Sequence, residues 1–140
     1  MRASEIRALI ISTIEASTLD YKSAGADKFN VYRRSQEPES VQSRTVMVKL
    51  LTPPTKDEVD TCDLFTVTYQ VIRFYPASDA TEDRASDDTE RLYTPLWRLH
   101  EQAADLQSSE LGDPSIEDVD SMLIVRQDIT CLYRLSSSLI

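Results

Sequence analysis

Residues 64–75 read LFTVTYQVIRFY and form the clearest strand pattern in the chain. Aromatic and β-branched residues alternate with polar ones, which places Phe65, Val67 and Tyr69 on one face of a strand. The pattern stops at Pro76, which cannot donate to a strand ladder. Because the stretch is long and strongly apolar at one end, we predict that it is a central strand of a sheet.

Three further stretches have the residue types and spacing of strands. Residues 28–34 (KFNVYRR) alternate over a short span, and residues 44–52 (RTVMVKLLT) end at the Pro-Pro pair of residues 53–54. Residues 121–135 alternate between apolar and polar side chains over most of their length. Together with the first stretch, these predict four strands.

Two stretches have helical periodicity. In residues 4–16 the apolar side chains fall on one stripe, with Ser4 as the expected N-cap and an acid in the first turn. Leucines at steps of three and four residues from Leu92 predict a second helix that runs to about Gln107. Pro95 lies within this pattern and indicates either a kink or a helix start close by.

The polar stretches between these elements carry proline, glycine and acidic residues and are predicted to be loops. They are residues 35–43, 53–63, 77–88 and 108–120. The element order is then α-β-β-β-α-β. This order predicts a single α+β domain over residues 1–140, in which a short N-terminal helix precedes a mixed, mostly antiparallel four-stranded sheet with the second helix packed on it.

The charge of the chain is strongly negative and unevenly distributed. With 24 acidic and 15 basic residues, its net charge is −9. Residues 76–120 hold 13 of the acids against three arginines. This composition argues against tight nucleic-acid binding, which requires a basic surface that releases counterions from phosphates. An acidic band is either a solvated face or a contact between copies of the chain.

The length of the apolar runs and the spacing of the cysteines indicate the cellular compartment of the protein. No stretch approaches the roughly 20 apolar residues that span a bilayer, and none has the form of a signal-peptide core. We therefore expect synthesis in the cytoplasm and no membrane partner. Cys62 and Cys131 lack the spacing of a zinc or disulfide motif, and both are predicted to be reduced and buried.

Residues with catalytic or ligand-binding chemistry are sparse. His100 is the only histidine, so a triad or a histidine-based metal site has no partners. The only glycines, Gly25 and Gly112, exclude a glycine-rich phosphate loop. Acidic clusters at residues 87–88 and 117–120 lack the spacing of a calcium loop. We expect no catalytic residue, cofactor or metal, and we do not expect an enzyme.

The order of five stretches, and the residue pattern within each, resemble those of a known protein family. They are RALIISTI (7–14), KFNVYRR (28–34), LFTVTYQVIRFYP (64–76), ERLYTPLWRLHEQAADL (90–106) and SMLIVRQDITCLYRL (121–135). In this order they are similar to the tail terminator proteins of long-tailed bacteriophages, the minor tail protein U-like group. The resemblance covers most of the chain and involves no diagnostic motif.

The resemblance implies a structural virion protein that is assembled in the host cytoplasm and located at the neck of the phage. Such proteins form a ring, usually hexameric, on the head-proximal end of the tail, where they end tube polymerisation and join the tail to the head. The implied partners are further copies of the chain, the tail tube and sheath, and neck or connector proteins. DNA would pass through the ring without specific binding.

A ring of identical subunits uses heterologous contacts, in which one surface of each copy meets a different surface of the next. The candidate interface joins basic residues of the first strand to acidic residues of the stretch that follows Pro76. They are Lys28, Arg33 and Arg34 on one side, and Asp79, Glu82, Asp83, Asp87, Asp88 and Glu90 on the other. Alternatively, the same acids line the lumen and repel DNA.

Two other interpretations of the sequence remain. Another head–tail connector or tail completion protein would have a similar size and composition. A non-viral α+β domain with a ligand-binding or regulatory role belongs to a different class. Oligomeric state separates the classes, since a ring subunit forms hexamers or larger species whereas a ligand-binding domain is a monomer or dimer.

Overall fold

The computed structural model describes residues 1–17, 29–32, 44–56, 63–76 and 81–135. Its centre is a pair of long antiparallel strands, β3 (Leu64–Pro76) and β6 (Met122–Arg134), which pair without interruption from Leu64↔Arg134 to Pro76↔Met122. Every second side chain of β3 is buried on one face, as at Val67 and Val71. The predicted central strand and the long last strand are both confirmed.

Strand β2 (Thr45–Lys56) pairs antiparallel with β3, and the short β1 (Asn30–Tyr32) pairs parallel with the start of β2. The prediction that residues 53–54 end this strand is wrong. The two prolines lie where β2 has no outer neighbour among the described residues, so their missing N–H groups remove no bond between strands there. Irregular pairing on both sides of Thr52 accommodates them.

The prediction of a loop over residues 108–120 is also wrong. Strands β4 (Leu106–Leu111) and β5 (Ser115–Val119) both pair antiparallel with the outer edge of β6 and follow one another along it. The sheet therefore has six strands rather than four, in the order β1-β2-β3-β6-β4 with β5 beside β6. The α+β class and the mixed, mostly antiparallel sheet are confirmed.

Helix α1 (Ala3–Ala16) begins one residue before the predicted start. Arg2, not Ser4, is its N-cap residue, and the Arg2 amide donates to a Glu5 carboxylate oxygen at 3.0 Å. Helix α2 (Thr81–Trp97) begins inside the predicted acidic loop and ends well before Gln107. A 3₁₀ helix (Leu99–Gln102) follows it and leads into β4, so Pro95 lies in the last turn of α2 rather than near its start.

Both helices cover the same face of the sheet. Isoleucines of α1 and leucines of α2 and the 3₁₀ helix pack with alternate side chains of β2, β3 and β6 in the main core. Burying each such side chain stabilises the fold by about 1.5–3 kcal/mol. The opposite face is polar at mid-sheet, where Thr68 contacts Thr130 and Gln70 donates to Asp128. At one end of that face lies a second apolar cluster, which includes Met47.

Candidate assembly surfaces

The acids predicted to form an interface divide into two groups on α2. Four of them are exposed on the outer side of the helix, namely Glu82, Asp83, Asp87 and Glu90. The remaining predicted interface residues Lys28, Arg33, Arg34 and Asp79 lie outside the residues that the structure describes. The proposed pairing between the basic strand and the acidic stretch therefore stays a prediction.

Asp88 differs from its neighbours and corrects the predicted interface set. Its side chain is fully buried, and it lies four residues before Leu92, in phase with the apolar stripe of α2. A carboxylate in this position faces the sheet and cannot reach a neighbouring subunit. The role of Asp88 is internal.

A buried polar cluster surrounds Asp88. One oxygen of the carboxylate contacts Arg44 Nε at 3.2 Å and accepts the Tyr75 hydroxyl at 2.8 Å. Arg73 donates to the same Tyr75 hydroxyl at 2.8 Å, and also to Thr89. This network joins β3 and the residue that precedes β2 to the middle of α2, so it fixes the helix on the sheet by directional bonds.

The cluster is strongly desolvated. Burial raises the pKa of Asp88 above its usual value, although the Tyr75 hydrogen bond and the charges of Arg44 and Arg73 act in the opposite direction. Burial likewise raises the pKa of Tyr75, so its phenol stays protonated and donates to Asp88. Within the described part of the chain, Asp88 Oδ1 accepts no hydrogen bond. The site is closed to solvent and holds α2 in place.

The outer side of α2 also carries an aromatic pair. Tyr93 and Trp97 lie one turn apart and are 51% and 48% exposed, just beyond the acidic part of the helix. The indole meets the His100 ring edge-on, with ring centroids 6.4 Å apart. Half-exposed tyrosine and tryptophan side chains are typical anchors of protein interfaces. The sequence indicated this exposure, because both residues flank the leucine stripe of the helix and do not belong to it.

The outer edge of β2 carries a second exposed apolar pair. β1 covers only the first three residues of β2, and from Lys49 to Lys56 every side chain is exposed. Leu50 and Leu51 are 44% and 46% exposed. Leu51 has no partner in β3, because the pairing shifts register between Leu50 and Thr52. Sequence reasoning assigned these leucines to an ordinary strand and missed their exposure.

Strand β5 carries the third exposed apolar pair, Ile116 and Val119, which are 65% and 38% exposed. All five residues of this strand are exposed, and β5 pairs with β6 only. Asp120 and Ser121, both with positive φ, form the two-residue turn that joins the strands. Because the stretch was predicted to be a loop, this edge was not foreseen.

An open groove of about 670 Å³ separates the C-terminal half of α1 from the end of α2. Its lining is mostly small or polar: Ser12, Thr13, Ala16, Ser17, Arg91, Pro95 and Gln102. Gln102 donates to the Thr13 hydroxyl across it at 3.1 Å. The groove has the size of a small-molecule site, but its lining lacks the apolar and aromatic side chains that such sites usually present.

The residues considered for chemistry have structural contacts. His100 Nδ1 lies 3.1 Å from the Ser109 hydroxyl, which is buried and donates to the Trp97 carbonyl at 2.9 Å. Burial raises the pKa of the Cys131 thiol to about 12, whereas Cys62 lies outside the described residues. In the part of the chain that the structure describes, no three histidine, cysteine or acidic side chains are grouped as metal ligands.

No protein-family model matches this chain, and no curated protein matches it. The resemblance to tail terminators therefore stays a prediction. Of the helices within the described ranges, none is both long enough and apolar enough to cross a membrane.

Proposed function

We propose that this protein is a structural subunit of a phage tail, and that identical copies of it form a closed ring at the head-proximal end of the tail tube. In that position it ends tube polymerisation and joins the tail to the neck. One observation carries the proposal: the large apolar side chains exposed in the described residues fall into three separate pairs, Leu50/Leu51, Tyr93/Trp97 and Ile116/Val119.

Exposed aromatic side chains and the edge strands of sheets are common sites of contact between proteins. The three pairs lie on β2, on α2 and on β5, so they occupy two different edges of the sheet and the helical layer. A two-fold dimer needs one self-complementary surface, whereas a ring subunit needs two unlike lateral surfaces. A terminator also meets the tube on one side and the neck on the other. Three unlike surfaces suit such a subunit.

The exposed acids of α2 have two competing roles within this proposal. In the first, they meet Lys28, Arg33 and Arg34 of the next copy. In the second, they line the lumen and repel DNA, which then passes without binding. The double variant Arg33→Glu/Arg34→Glu distinguishes them, because it abolishes hexamers in the first case. Unchanged assembly, measured by light scattering after size exclusion, would remove the first role.

The location of the protein tests the proposal directly. Gold-labelled antibody against the purified chain is applied to particles released from cells that encode it, and these are imaged by electron microscopy. We expect label at the junction between head and tail. Label along the tail or at its tip would instead indicate another tail component, and unlabelled particles would contradict a virion role.

A connector or tail completion protein at the same junction would give the same label. Loss of the gene separates these functions, since particles without a terminator carry tails of uncontrolled length, whereas particles without a connector have tails of normal length that are detached from heads. Tail length in electron micrographs is the measurement.

The groove between α1 and α2 favours a different class, a ligand-binding or regulatory α+β domain. That class predicts a monomer or dimer whose melting temperature rises when a small molecule occupies the groove. Thermal-shift screening, compared with the same screen on an Arg91→Ala variant, tests it. Hits that depend on Arg91 together with a monomeric state would favour this function over a ring.

A further inference from the structure

We infer that neighbouring copies of this protein join through side chains: the exposed part of β2 (residues 49–56) in one copy packs on the outer side of α2 in the next. The lysines of β2 meet the acids of α2, and the leucines and prolines of β2 meet Tyr93 and Trp97. The inference rests on the proposed ring function and names the lateral contact between copies. It gives the acids of α2 a partner other than the basic residues of the first strand.

The exposed part of β2 is basic and apolar. Every side chain from Lys49 to Lys56 is exposed, and this stretch contains two lysines and no acid. Two leucines and two prolines lie between the lysines. Among the residues that the structure describes, neither lysine forms an ion pair. A stretch of this composition suits a partner surface that is both acidic and aromatic.

The outer side of α2 has the complementary composition. Asp83, Glu90 and Trp97 follow one another at seven-residue steps, so they lie close to one line along the helix. All three are exposed, as are Glu82 and Tyr93 beside this line. Within the described part of the chain, the three acids of this set form no ion pair. This side of the helix is therefore acidic over its first half and aromatic at its end.

The prolines of β2 favour a contact through side chains over the addition of a strand. Pro53 and Pro54 have no N–H group to donate, and the pairing with β3 is irregular on both sides of Thr52. Proline-containing segments bind instead through their rings to surfaces lined by aromatic side chains. The half-exposed rings of Tyr93 and Trp97 supply aromatic side chains of this kind at the end of α2.

The two surfaces also match in length. From Lys49 to Lys56 an extended strand spans up to about 23 Å. From Glu82 to Trp97 a helix spans about 22 Å. The exposed part of β2 can therefore lie along the whole outer side of α2, which brings charged and apolar side chains into the same contact.

The two surfaces lie on opposite sides of the subunit. In the sheet order β1-β2-β3-β6-β4, β2 lies toward one edge. Helix α2 packs over β4, β6 and β3, toward the other edge, whereas α1 packs over β1 and β2. The β2 surface of one copy can therefore meet the α2 surface of the next, and the same unlike contact can repeat around a ring.

The segment around β5 is the other acidic surface that could meet β2. Residues 113–120 contain four acids and no basic residue. However, Glu117 already pairs with Arg126 at 3.6 Å, and the segment has no aromatic side chain for the prolines. The acids of α2 have neither disadvantage, so α2 is the better partner and the β5 segment supplies a matched control.

Charge exchange between the two surfaces tests the contact. Lys49→Glu/Lys56→Glu makes the exposed part of β2 acidic, and Asp83→Lys/Glu90→Lys makes the outer side of α2 more basic. Each variant alone sets like charges against each other, so its concentration at half-assembly should rise at least about tenfold above that of the wild type. An equimolar mixture should assemble again, because every contact in a hexamer of alternating variants joins opposite charges. Light scattering after size exclusion is the measurement.

The mixture also controls for folding, since a variant that had unfolded would not assemble when its counterpart is added. The matched control is Asp113→Lys/Asp118→Lys, which makes the same change of net charge at exposed positions of the β5 segment. This variant should assemble within about twofold of the wild-type concentration and should not restore assembly of the β2 variant. Restoration by this control would overturn the contact with α2 in favour of β5.

Carbodiimide cross-linking of the wild type gives an independent measurement, because it joins a lysine to a carboxylate that the lysine contacts. Isotope-labelled copies are mixed with unlabelled ones, so that mass spectrometry recognises links between copies. We expect links from Lys49 or Lys56 to Glu82, Asp83 or Glu90. Links from these lysines only to the acids of the β5 segment, or no links between copies, would overturn the inference.

The contact and the ring can fail separately. Wild-type oligomers that respond to none of these charge changes would overturn the contact and leave the proposed ring intact. A wild type that stays monomeric at every concentration would overturn the contact. Together with particles that carry no label at the neck, it would overturn the ring as well.

Discussion

At the scale of single residues, the Arg44–Asp88 pair combines a strained backbone with a buried charge. Arg44 adopts a left-handed backbone conformation with φ of 61°, which an L-residue adopts only at an energetic cost. Its side chain is 3% exposed and that of Asp88 is fully buried. The surrounding cluster compensates for the strained backbone by holding α2 on the sheet.

We predict that Arg44→Met destabilises the protein by about 3 kcal/mol, because it leaves the Asp88 carboxylate buried without its ion partner. Equilibrium urea unfolding, followed by circular dichroism, measures the loss. Glu90→Gln is the matched control, since it removes an exposed charge two residues along the same helix and should change stability by less than about 0.5 kcal/mol. A loss of that small size for Arg44→Met would contradict a stabilising role of the pair.

The raised pKa of Asp88 also predicts the pH dependence of stability. Where the folded pKa lies above the unfolded one, the folded state binds more protons, so the wild type loses stability as pH rises from the usual aspartate pKa to the folded value. Asp88→Asn lacks this loss. Its stability deficit relative to wild type should therefore shrink as urea unfolding is repeated from pH 4 to pH 7. A deficit that grows would mean that the Tyr75 hydrogen bond and the arginine charges outweigh burial and hold the folded pKa of Asp88 below its unfolded value.

The position of Asp88 could have been recognised in the sequence. It falls on the helical stripe that continues through Leu92 and Leu96, whereas Asp87 and Glu90 do not. The acidic composition of residues 77–88 concealed the helical spacing of Asp88 with these leucines, because a run of acids is typical of a solvated loop. Its partner Arg44 could not be predicted, since the two residues meet only through the packing of α2 on the sheet.

At the scale of elements, the strands with buried faces were predictable and the exposed ones were not. β3 and β6 alternate because one face is buried, and that alternation is the signal. β5 is exposed at every residue, so no hydrophobic period marks it, and Gly112 and Pro114 beside it are typical of a loop. It is a strand because the edge of β6 supplies its hydrogen bonds.

The turn between β5 and β6 gives a prediction at this scale. Asp120 and Ser121 have φ of 48° and 62°, the conformation that favours glycine at the second turn position. Ser121→Gly should therefore stabilise the protein by about 0.5–1 kcal/mol, measured by urea unfolding. Ser115→Gly is the control, since Ser115 lies within the strand and the same change there should destabilise it. Equal effects at the two positions would contradict a strained turn.

At the scale of the whole molecule, Trp97 is a natural reporter of assembly because it is the only tryptophan. It is 48% exposed in the isolated subunit. If the aromatic pair of α2 is covered when copies associate, tryptophan emission should shift to shorter wavelength as protein concentration rises. Light scattering on the same samples reports the oligomeric state. Oligomers with unchanged emission would mean that this pair faces the tube or the neck instead.

The pairing of β3 with β6 has a consequence for folding kinetics. These two strands form the longest ladder of the sheet, yet partners such as Leu64 and Arg134 lie far apart along the chain. Contacts of such high sequence separation slow the search for the native topology. During translation, β3 has to wait for almost the whole described sequence before its main partner leaves the ribosome. Until then the edge of β3 that pairs with β6 is open, and unpaired strand edges make folding intermediates prone to aggregation.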